Sequence, residues 1–562
     1  MAFRLQHLAF AICLLGTSRL GAAGSLDDLT GPWQLLVDDY LIAAKTNVVR
    51  KYYPFTKYAG NPVLVPQQAW EQLTYIYGTV LPNETRTGYR MWYQTLRTND
   101  PCTAPSTQLY ATSTDGISWT KPILNQCAWC GSTANNMYYQ GFMTSVMHTP
   151  WDPDPARSYK LMNLDAGGWS VAWSSNGINF VSAPNNPVFT AGSDSGQAWW
   201  DPRAQQYRLY VKNNWVDTHG LNRRAISLAT TANFTNWPAT APLVLWPDTF
   251  DDRWSLNVTQ RTHFYGLSAF AYESMYLGFL WIHRATNLTS NPAGYEGYQI
   301  GPIFSELVSS RDGVHWTCEE GDRPPVLGLG TNTWDAGMVF TPRSPVVEGS
   351  TIKLWYGGFK NQHDTALKKQ QGAIGLATLR KDGFASLDAG ASAGTILTRT
   401  FVGTGGALLV NYRTNTSSGW VKAEALDEDT NVLTGYSQAD CVPLTGNSTT
   451  QAVTWTGHGE LPAGQRSLRL RFLLQNASIY SFMAGSNAAP VEAPPVLGYG
   501  HRNNEIVLSW PTNSVGFALE STTNLPPTNW TPALPYSVVN GAQYVVTNSM
   551  TDVGRGYRLR KP

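Results

Sequence analysis

The chain has 562 residues, enough for three or four domains of ordinary size. Hydrophobic residues make up 42% of it and charged residues only 14%, against about 25% in an average soluble protein. A formal net charge of +1 leaves no basic excess to neutralise phosphates, which argues against nucleic acid as a partner. An aromatic share of 12%, with 22 Trp and 27 Tyr, is too high for a disordered chain. Low charge with abundant Trp, Tyr, Asn, Gly and Thr fits a secreted all-β protein that handles sugars, because aromatic faces stack on the apolar C–H faces of sugar rings.

The N-terminus carries Arg4, an apolar stretch from Leu8 to Leu15 and a small-residue end, Leu20 to Gly24. This order predicts a signal peptide over residues 1–23, with cleavage near Ala23. The apolar run is too short to cross a membrane, and no later window reaches about 18 apolar residues. The expectation is a soluble exported protein, extracellular or periplasmic. Five cysteines follow the signal: Cys102, Cys127, Cys130, Cys318 and Cys441. The odd count leaves at least one thiol unpaired. Cys127 and Cys130 spell CxxC, but neither a thioredoxin-like βαβ context nor a second ligand pair accompanies them. In an oxidising compartment a loop disulfide of Cys102 with Cys127 or Cys130 is the better reading.

Trp33 to Ile42 reads as an extra strand ahead of the first repeat, placed to close a ring beside the last one. One phrase then recurs: Ala111–Trp119, Trp173–Phe180, Ala229–Trp237, Val308–Trp316 and, degenerate, Ala377–Phe384. Each is a strand, a tight turn (Asp-Gly or Asn-Gly in four of the five) and an aromatic that packs back. A strand pair precedes each phrase, beginning at Tyr75, Gly141, Gln197, His263 and Gly337. No amphipathic helix interrupts them. Repeated sheets around an axis predict a five-bladed β-propeller over residues 24–394. A small-residue boundary at Ala389–Gly394 leads to alternating strands that predict a β-sandwich over 395–488. A Pro-rich linker over 489–496 follows, then a small Ig-like or fibronectin-like module over 497–562.

Several phrases carry a family resemblance: Leu36–Ile42, Asn61–Leu64 with Trp70 and Glu71, Ser309–Trp316, Trp334–Gly337, Trp355–Phe359 and Ile374–Arg380. The chain resembles bacterial secreted five-bladed propeller proteins similar to glycoside hydrolase families 32 and 43, with a C-terminal sandwich; the mannoside-acting family 130 is also five-bladed. The resemblance implies a glycoside hydrolase acting on a plant or algal polysaccharide or its oligosaccharides. The family-32 Asn-Asp-Pro-Asn, Arg-Asp-Pro and Glu-Cys signatures are absent, with Trp200-Asp-Pro-Arg203 the nearest echo, so no catalytic triad carries over by motif.

Glycoside hydrolysis needs two carboxylates across the scissile bond, roughly 5–5.5 Å apart for a nucleophile or roughly 6.5–9.5 Å for a base. In a propeller these come from the starts of the inner strands. Asp194 opens the third such strand among small polar residues, with Trp199 behind it as a candidate sugar platform. Asp335 opens the fifth, beside Trp334 and close to Gly337. Asp194 and Asp335 are thus the expected pair, with Glu273 a further candidate. Alternatively Asp194 caps a turn and Asp335 bonds a neighbouring blade. Arg203, His263, Trp334, Glu306 and Glu71 are candidate substrate contacts. Glu71 also reads as a packing and capping residue with Trp70. Asp38, Asp39, Asp251 and Asp252 are weaker candidates. Arg203, Arg223 and Arg224 suit a uronic or sulfated sugar, or ion pairs with nearby acids. No HExxH, GxSxG or phosphate-loop pattern is present. No cofactor is expected. A structural calcium on the axis is compatible with a propeller, but no ligand spacing identifies one. The rival readings are a non-catalytic carbohydrate-binding propeller and a polysaccharide lyase using His263 and Tyr265 with Arg203. A funnel floor of His, Tyr and Arg would favour the lyase.

Overall fold

The computed structural model describes residues 25–485 and 497–560, except 98–101, 103–105, 166, 218–219, 221, 257–259, 287–298, 319–322, 366–368, 404, 465–466, 503–504, 512–516, 524–529, 534–536, 541–542 and 550–554. The predicted signal peptide and linker lie outside the described residues. The chain is all-β, with a 3-10 turn at Pro155–Arg157. No described helix is long and apolar enough to cross a membrane.

Antiparallel meanders follow one another from Leu73 to Arg380. The first uses Leu73–Pro82, Tyr89–Leu96, Ser106–Ser113 and Met137–Gln140. The second uses Phe142–His148, Tyr159–Asp165, Gly168–Ser174 and Val181–Ser182. The third uses Gly196–Asp201, Gln206–Val216, Asn222–Thr231 and Leu243–Leu245. The fourth uses Arg261–Glu273, Met275–Ala285, Ile303–Ser310 and Trp316–Cys318. The fifth uses Met338–Phe340, Thr351–Phe359 and Gly372–Arg380, and the single parallel pair Ile303 with Met338 joins it to the fourth. The inner strands are buried on both faces, which is why Leu73–Pro82 and Arg261–Glu273 read as continuous apolar and aromatic runs without alternation.

Hydrogen bonds join the first meander to the second, the second to the third, the fourth to the fifth and the fifth to the first, and Trp199 of the third packs edge-on against Tyr276 of the fourth. The Val146 amide donates to Thr79 Oγ1, the Ala198 amide to Ser145 Oγ, and the Arg343 amide to the Gly78 carbonyl. Ser268 and Thr341 hydroxyls meet at 2.8 Å. The meanders therefore close into a ring, a β-propeller.

The recurring turn explains its own repetition. Ser113, Ser174 and Ser310 each accept the amide of a glycine three residues on, and those glycines, Gly116, Gly177 and Gly313, have φ of 78°, 74° and 70°. An L side chain is strained there, so glycine is required. Each turn then offers its glycine carbonyl to the preceding meander. Trp355 Nε1 donates to Gly116 O at 2.7 Å, Trp92 Nε1 to Gly177 O at 2.7 Å, and Arg208 Nη1 to Gly313 O at 3.0 Å. The motif is an interblade latch.

Ring closure differs from the expectation. Gln34–Leu35, Ile42–Thr46 and Val49–Tyr52 pair with sandwich strands, not with the fifth meander. The outer strand of that meander is Thr56–Lys57, paired with Thr378 and Ala377. The sandwich consists of a six-stranded and a four-stranded sheet around Leu36, Ile396, Val410, Val421, Phe472 and Phe482. Its sheets also take in Ala385–Ala389 and Gly394–Thr398. The small residues at 389–394 thus mark the connection between two sandwich strands, not the edge of the propeller. Residues 497–560 form separate four- and three-stranded sheets around Leu508, Trp510, Leu519 and Val546. Cys102 and Cys130 form a disulfide, leaving Cys127, Cys318 and Cys441 free.

The axis is filled. Tyr77, Trp281, Phe340 and Tyr265 make an aromatic layer in which Tyr77 stacks on Trp281 with centroids 5.2 Å apart. Toward the far end, fully buried Arg343 meets Asp27 at 2.5 Å, and Leu29–Thr30 pairs in parallel with the end of the fourth inner strand. At the other end, where the inner strands start, the Asp194 side chain is open to solvent.

Candidate active site

Asp194 stands just before the third inner strand. Its side chain is 52% exposed, yet it pairs with the ammonium of buried Lys212. Lys212 lies 4.0 Å above the Tyr265 ring on the fourth inner strand. The Asp194 charge also acts on Tyr75 and Tyr77 of the first. An open carboxylate facing three blades at once is a funnel geometry. Burial pushes the Asp194 carboxyl up, but the charge and hydrogen bond of Lys212, with Ser193 and Arg224, outweigh it and hold the group at about 2. Burial lowers Lys212 to about 8 against the opposing pull of Asp194.

Arg224, on the third strand of the same meander, lies 5.0 Å above Tyr265. Its Nη1 and His283 Nδ1 are 3.1 Å apart, and its backbone amide donates to His263 Nδ1 at 3.0 Å. A guanidinium only donates, so His283 Nδ1 is the acceptor and its Nε2–H points to the Gln299 carbonyl at 3.0 Å. The rings of His263, His283 and His363 follow one another at 5.5 and 4.6 Å. Burial first, then neighbouring positive charge from Arg224, lowers His263 far below the ordinary value; burial does the same to His283, and His363 falls to about 3. All three are neutral at pH 7.

Asp364 completes the mouth from the fifth meander. It accepts the Gln299 amide at 2.8 Å and lies 3.2 Å from His363 Nδ1. Tyr265 OH and His363 Nε2 are 3.3 Å apart. Burial raises the Asp364 carboxyl, with the Gln299 amide, Arg224 and Lys212 pulling against it. Two carboxylates beside one phenol are thus driven in opposite directions, the pattern that separates an acid from a base.

Apart from His263, the structure does not bring the other predicted residues to this mouth. Asp335 is buried, 3% exposed at its side chain, and satisfied by Lys57 at 2.5 Å, Thr333 at 2.6 Å and Tyr356 at 2.9 Å. Trp334 stacks on Tyr356 at 5.6 Å, on the face of the fifth meander turned away from Tyr75. Glu273 is at the last position of the thirteen-residue strand that His263 almost opens. At about 3.3 Å per residue, that puts it roughly 30 Å from the mouth. There it accepts the Trp33 amide at 3.2 Å and borders a cavity of about 210 Å³ lined by Asp27, Asp28, Tyr272 and Lys381. Arg203 is at that far end too, donating to the Glu273 carbonyl. Trp199 is 2% exposed and packs edge-on against Tyr276, so no sugar reaches its face.

Glu71 is enclosed by Lys121 at 2.6 Å, Tyr93 at 2.8 Å and the Gln67 and Gln68 amides. Glu306 is buried 3.9 Å from Arg323, whose other partner is Asp251 at 2.9 Å, and burial raises it to about 7. Asp252 and Asp217 both hold Arg223, while Arg311 holds Asp38. His263 does lie in the mouth, but as a buried neutral ring whose Nε2 has no partner among the described residues. Among those residues no group of three or more His, Cys, Asp or Glu side chains is arranged to hold a metal ion.

Neither a protein-family model nor a curated protein sequence matches this chain. Solved structures similar to it include a putative glycoside hydrolase from Parabacteroides distasonis, 14% identical, covering 58% of this chain and 97% of the other, with a TM-score of 0.37. The β-fructofuranosidase of Schwanniomyces occidentalis complexed with fructosyl-erythritol is 11% identical, covering 77% and 96%, with a TM-score of 0.35. A β-1,2-mannobiose phosphorylase from Listeria innocua is 12% identical, covering 58% and 96%, with a TM-score of 0.37. Likeness at this level assigns no activity, and the propeller is read from the strand pairing above.

Proposed function

We propose that this protein is an exported glycoside hydrolase whose substrate, an oligosaccharide or polysaccharide, enters the funnel mouth. Asp194 and Asp364 are its carboxylate pair. The observation that carries this reading is the placement around Tyr265 of Asp194, open to solvent and paired with Lys212, and of Asp364 beside His363, with their carboxyls shifted in opposite directions. Asp364, raised, keeps its proton longer and serves as the acid that protonates the leaving oxygen. Asp194, held ionised by Lys212, serves as the base or nucleophile on the other side. Tyr265, whose hydroxyl lies 3.3 Å from His363 Nε2, offers that hydroxyl to the sugar. The test is a polysaccharide panel read for new reducing ends, with wild-type protein beside Asp194→Asn. New reducing ends that vanish in the variant support hydrolysis at this site. Binding of a glycan without cleavage supports the non-catalytic reading.

One observation favours a second reading. Tyr265 OH faces neutral His363, with Lys212 and Arg224 above its ring. A phenol beside a neutral imidazole and two cations suits β-elimination of a uronate. The same panel, read for absorbance of unsaturated products, separates the two.

A further inference from the structure

Most strongly buried cations of the propeller have a carboxylate of their own. Arg208 has Asp201 at 2.6 Å, Arg343 has Asp27 at 2.5 Å, Lys160 has Asp152 at 2.5 Å, and Lys121 has Glu71 at 2.6 Å. The neighbour of Arg224, Arg223, has two, Asp217 at 2.8 Å and Asp252 at 2.6 Å. Arg224 differs. No carboxylate among the described residues lies within ion-pair distance of it. Its side-chain neighbours are the Tyr265 ring and His283. Lys212, the second cation over that ring, is already committed to Asp194. The histidines stacked behind the guanidinium are neutral and supply no countercharge. Buried His263 also leaves its Nε2–H without an acceptor. Asp194 and Asp364 act on Arg224 only from beyond ion-pair distance, so its guanidinium has no direct carboxylate partner and can take one from a ligand.

We propose that Arg224 is a specificity residue that receives an oxyanion carried by the sugar, a carboxylate or a sulfate, so that the substrate class is an acidic glycan. This rests on the glycosidic reading of the same mouth. A planar guanidinium fork matches either group with two parallel N–H···O bonds. A neutral sugar would leave that fork without a direct anionic partner. Carboxylate and sulfate share this chemistry, and the probes below distinguish them.

The test is calorimetric binding to full-length Asp194→Asn, which holds ligand without turning it over. The probes are oligogalacturonides and alginate oligosaccharides, each beside its carboxyl-reduced neutral counterpart, and carrageenan oligosaccharides beside their desulfated forms. At least one acidic probe binds about tenfold or more tighter than its neutral counterpart. Adding Arg224→Gln erases that difference without weakening the neutral form, and Arg224→Lys restores only part of it. Thermal melting checks that each variant is folded. If Arg224→Gln is unfolded, Arg224→Lys decides in its place: an acidic-to-neutral ratio equal to that of Asp194→Asn alone overturns the proposal. Equal affinity for charged and neutral forms, or no binding of any acidic probe, overturns the proposal, as does turnover of a neutral glycan that requires inorganic phosphate. The two readings fail separately: selective binding without cleavage by wild type sinks only the hydrolase, and cleavage of a neutral glycan unaffected by Arg224→Gln sinks only the anion site.

Discussion

Replacing Asp335 by Ala leaves the Lys57 ammonium facing Tyr356 with no countercharge. The carboxylate is 3% exposed and Lys57 26%, so the pair is close to fully enclosed on one side only. Breaking a buried pair from one side costs roughly 3–5 kcal/mol, and the partial opening of Lys57 puts this case near the lower end, about 3 kcal/mol. Asp335→Asn keeps an acceptor for Thr333 or Tyr356 and loses less, about 2 kcal/mol. For a unit of this size, each kcal/mol moves the melting temperature by roughly 2 °C, so differential scanning calorimetry should show the propeller transition falling by roughly 6 °C in the Ala variant. The carboxyl is held below its ordinary value: burial raises it, and Lys57, Thr333 and Tyr356 outweigh that. Its contribution is therefore present above the unfolded value of 3.8 and lost as pH falls through the lower folded value. The gap between wild type and Asp335→Ala should persist from pH 5 to 8 and close in stronger acid. An unchanged melting temperature with abolished glycan cleavage would refute this reasoning and return Asp335 to the chemistry.

Other consequences are as direct. Burial and the charge of Asp382 raise Glu273 to about 7. Between its ordinary value of 4.5 and 7 the folded state binds the proton the unfolded state has lost, so stability falls across that window by about 3 kcal/mol; Glu273→Gln should flatten the decline in melting temperature between pH 4.5 and 7, and an unflattened curve would count against it. Gly177→Ala adds a Cβ 2.9 Å from Arg90 and 3.0 Å from Trp92 at φ 74°. It should cost about 3 kcal/mol in urea unfolding, and a loss below about 1 kcal/mol would mean the latch is soft. Lys212→Met removes the charge that holds Asp194 at about 2. The acid limb of kcat/KM should move upward by more than one pH unit, whereas a fixed limb would assign it to another group.

Much of the architecture is legible because it is local. Strand, Asp-Gly or Asn-Gly turn and returning aromatic are set within about ten residues, and in three of the five phrases the latch uses the glycine at the same place. What sequence cannot supply is which distant segment joins which sheet. Gln34 to Tyr52 reads as propeller because it precedes the repeats, yet its partners lie at 385–398 and 481–482. The site follows the same rule. Asp194 is visible because small polar residues open its strand. Asp335 looks alike over five residues and differs only through Lys57, 278 positions away. Glu273 shares an inner strand with His263, and only the strand's thirteen-residue length separates their ends. Trp199 points into the core by alternation, since its neighbour Trp200 takes the more open face. Lys212, Arg224, His363 and Asp364 sit on second and third strands or after them, where nothing local signals a funnel. The adjacent His363 and Asp364 past Phe359 were the one available hint.

The central claim is that bond cleavage belongs to the mouth bounded by Asp194 and Asp364. The measurement that tests it most directly is kcat/KM on one cleaved glycan for Asp194→Asn, Asp364→Asn, Asp335→Asn and Glu273→Gln, assayed together below the melting point of each. The account predicts losses of about a hundredfold or more in the first two and less than about fivefold in the others. Full activity in Asp194→Asn, or a loss confined to Asp335→Asn or Glu273→Gln, would contradict it.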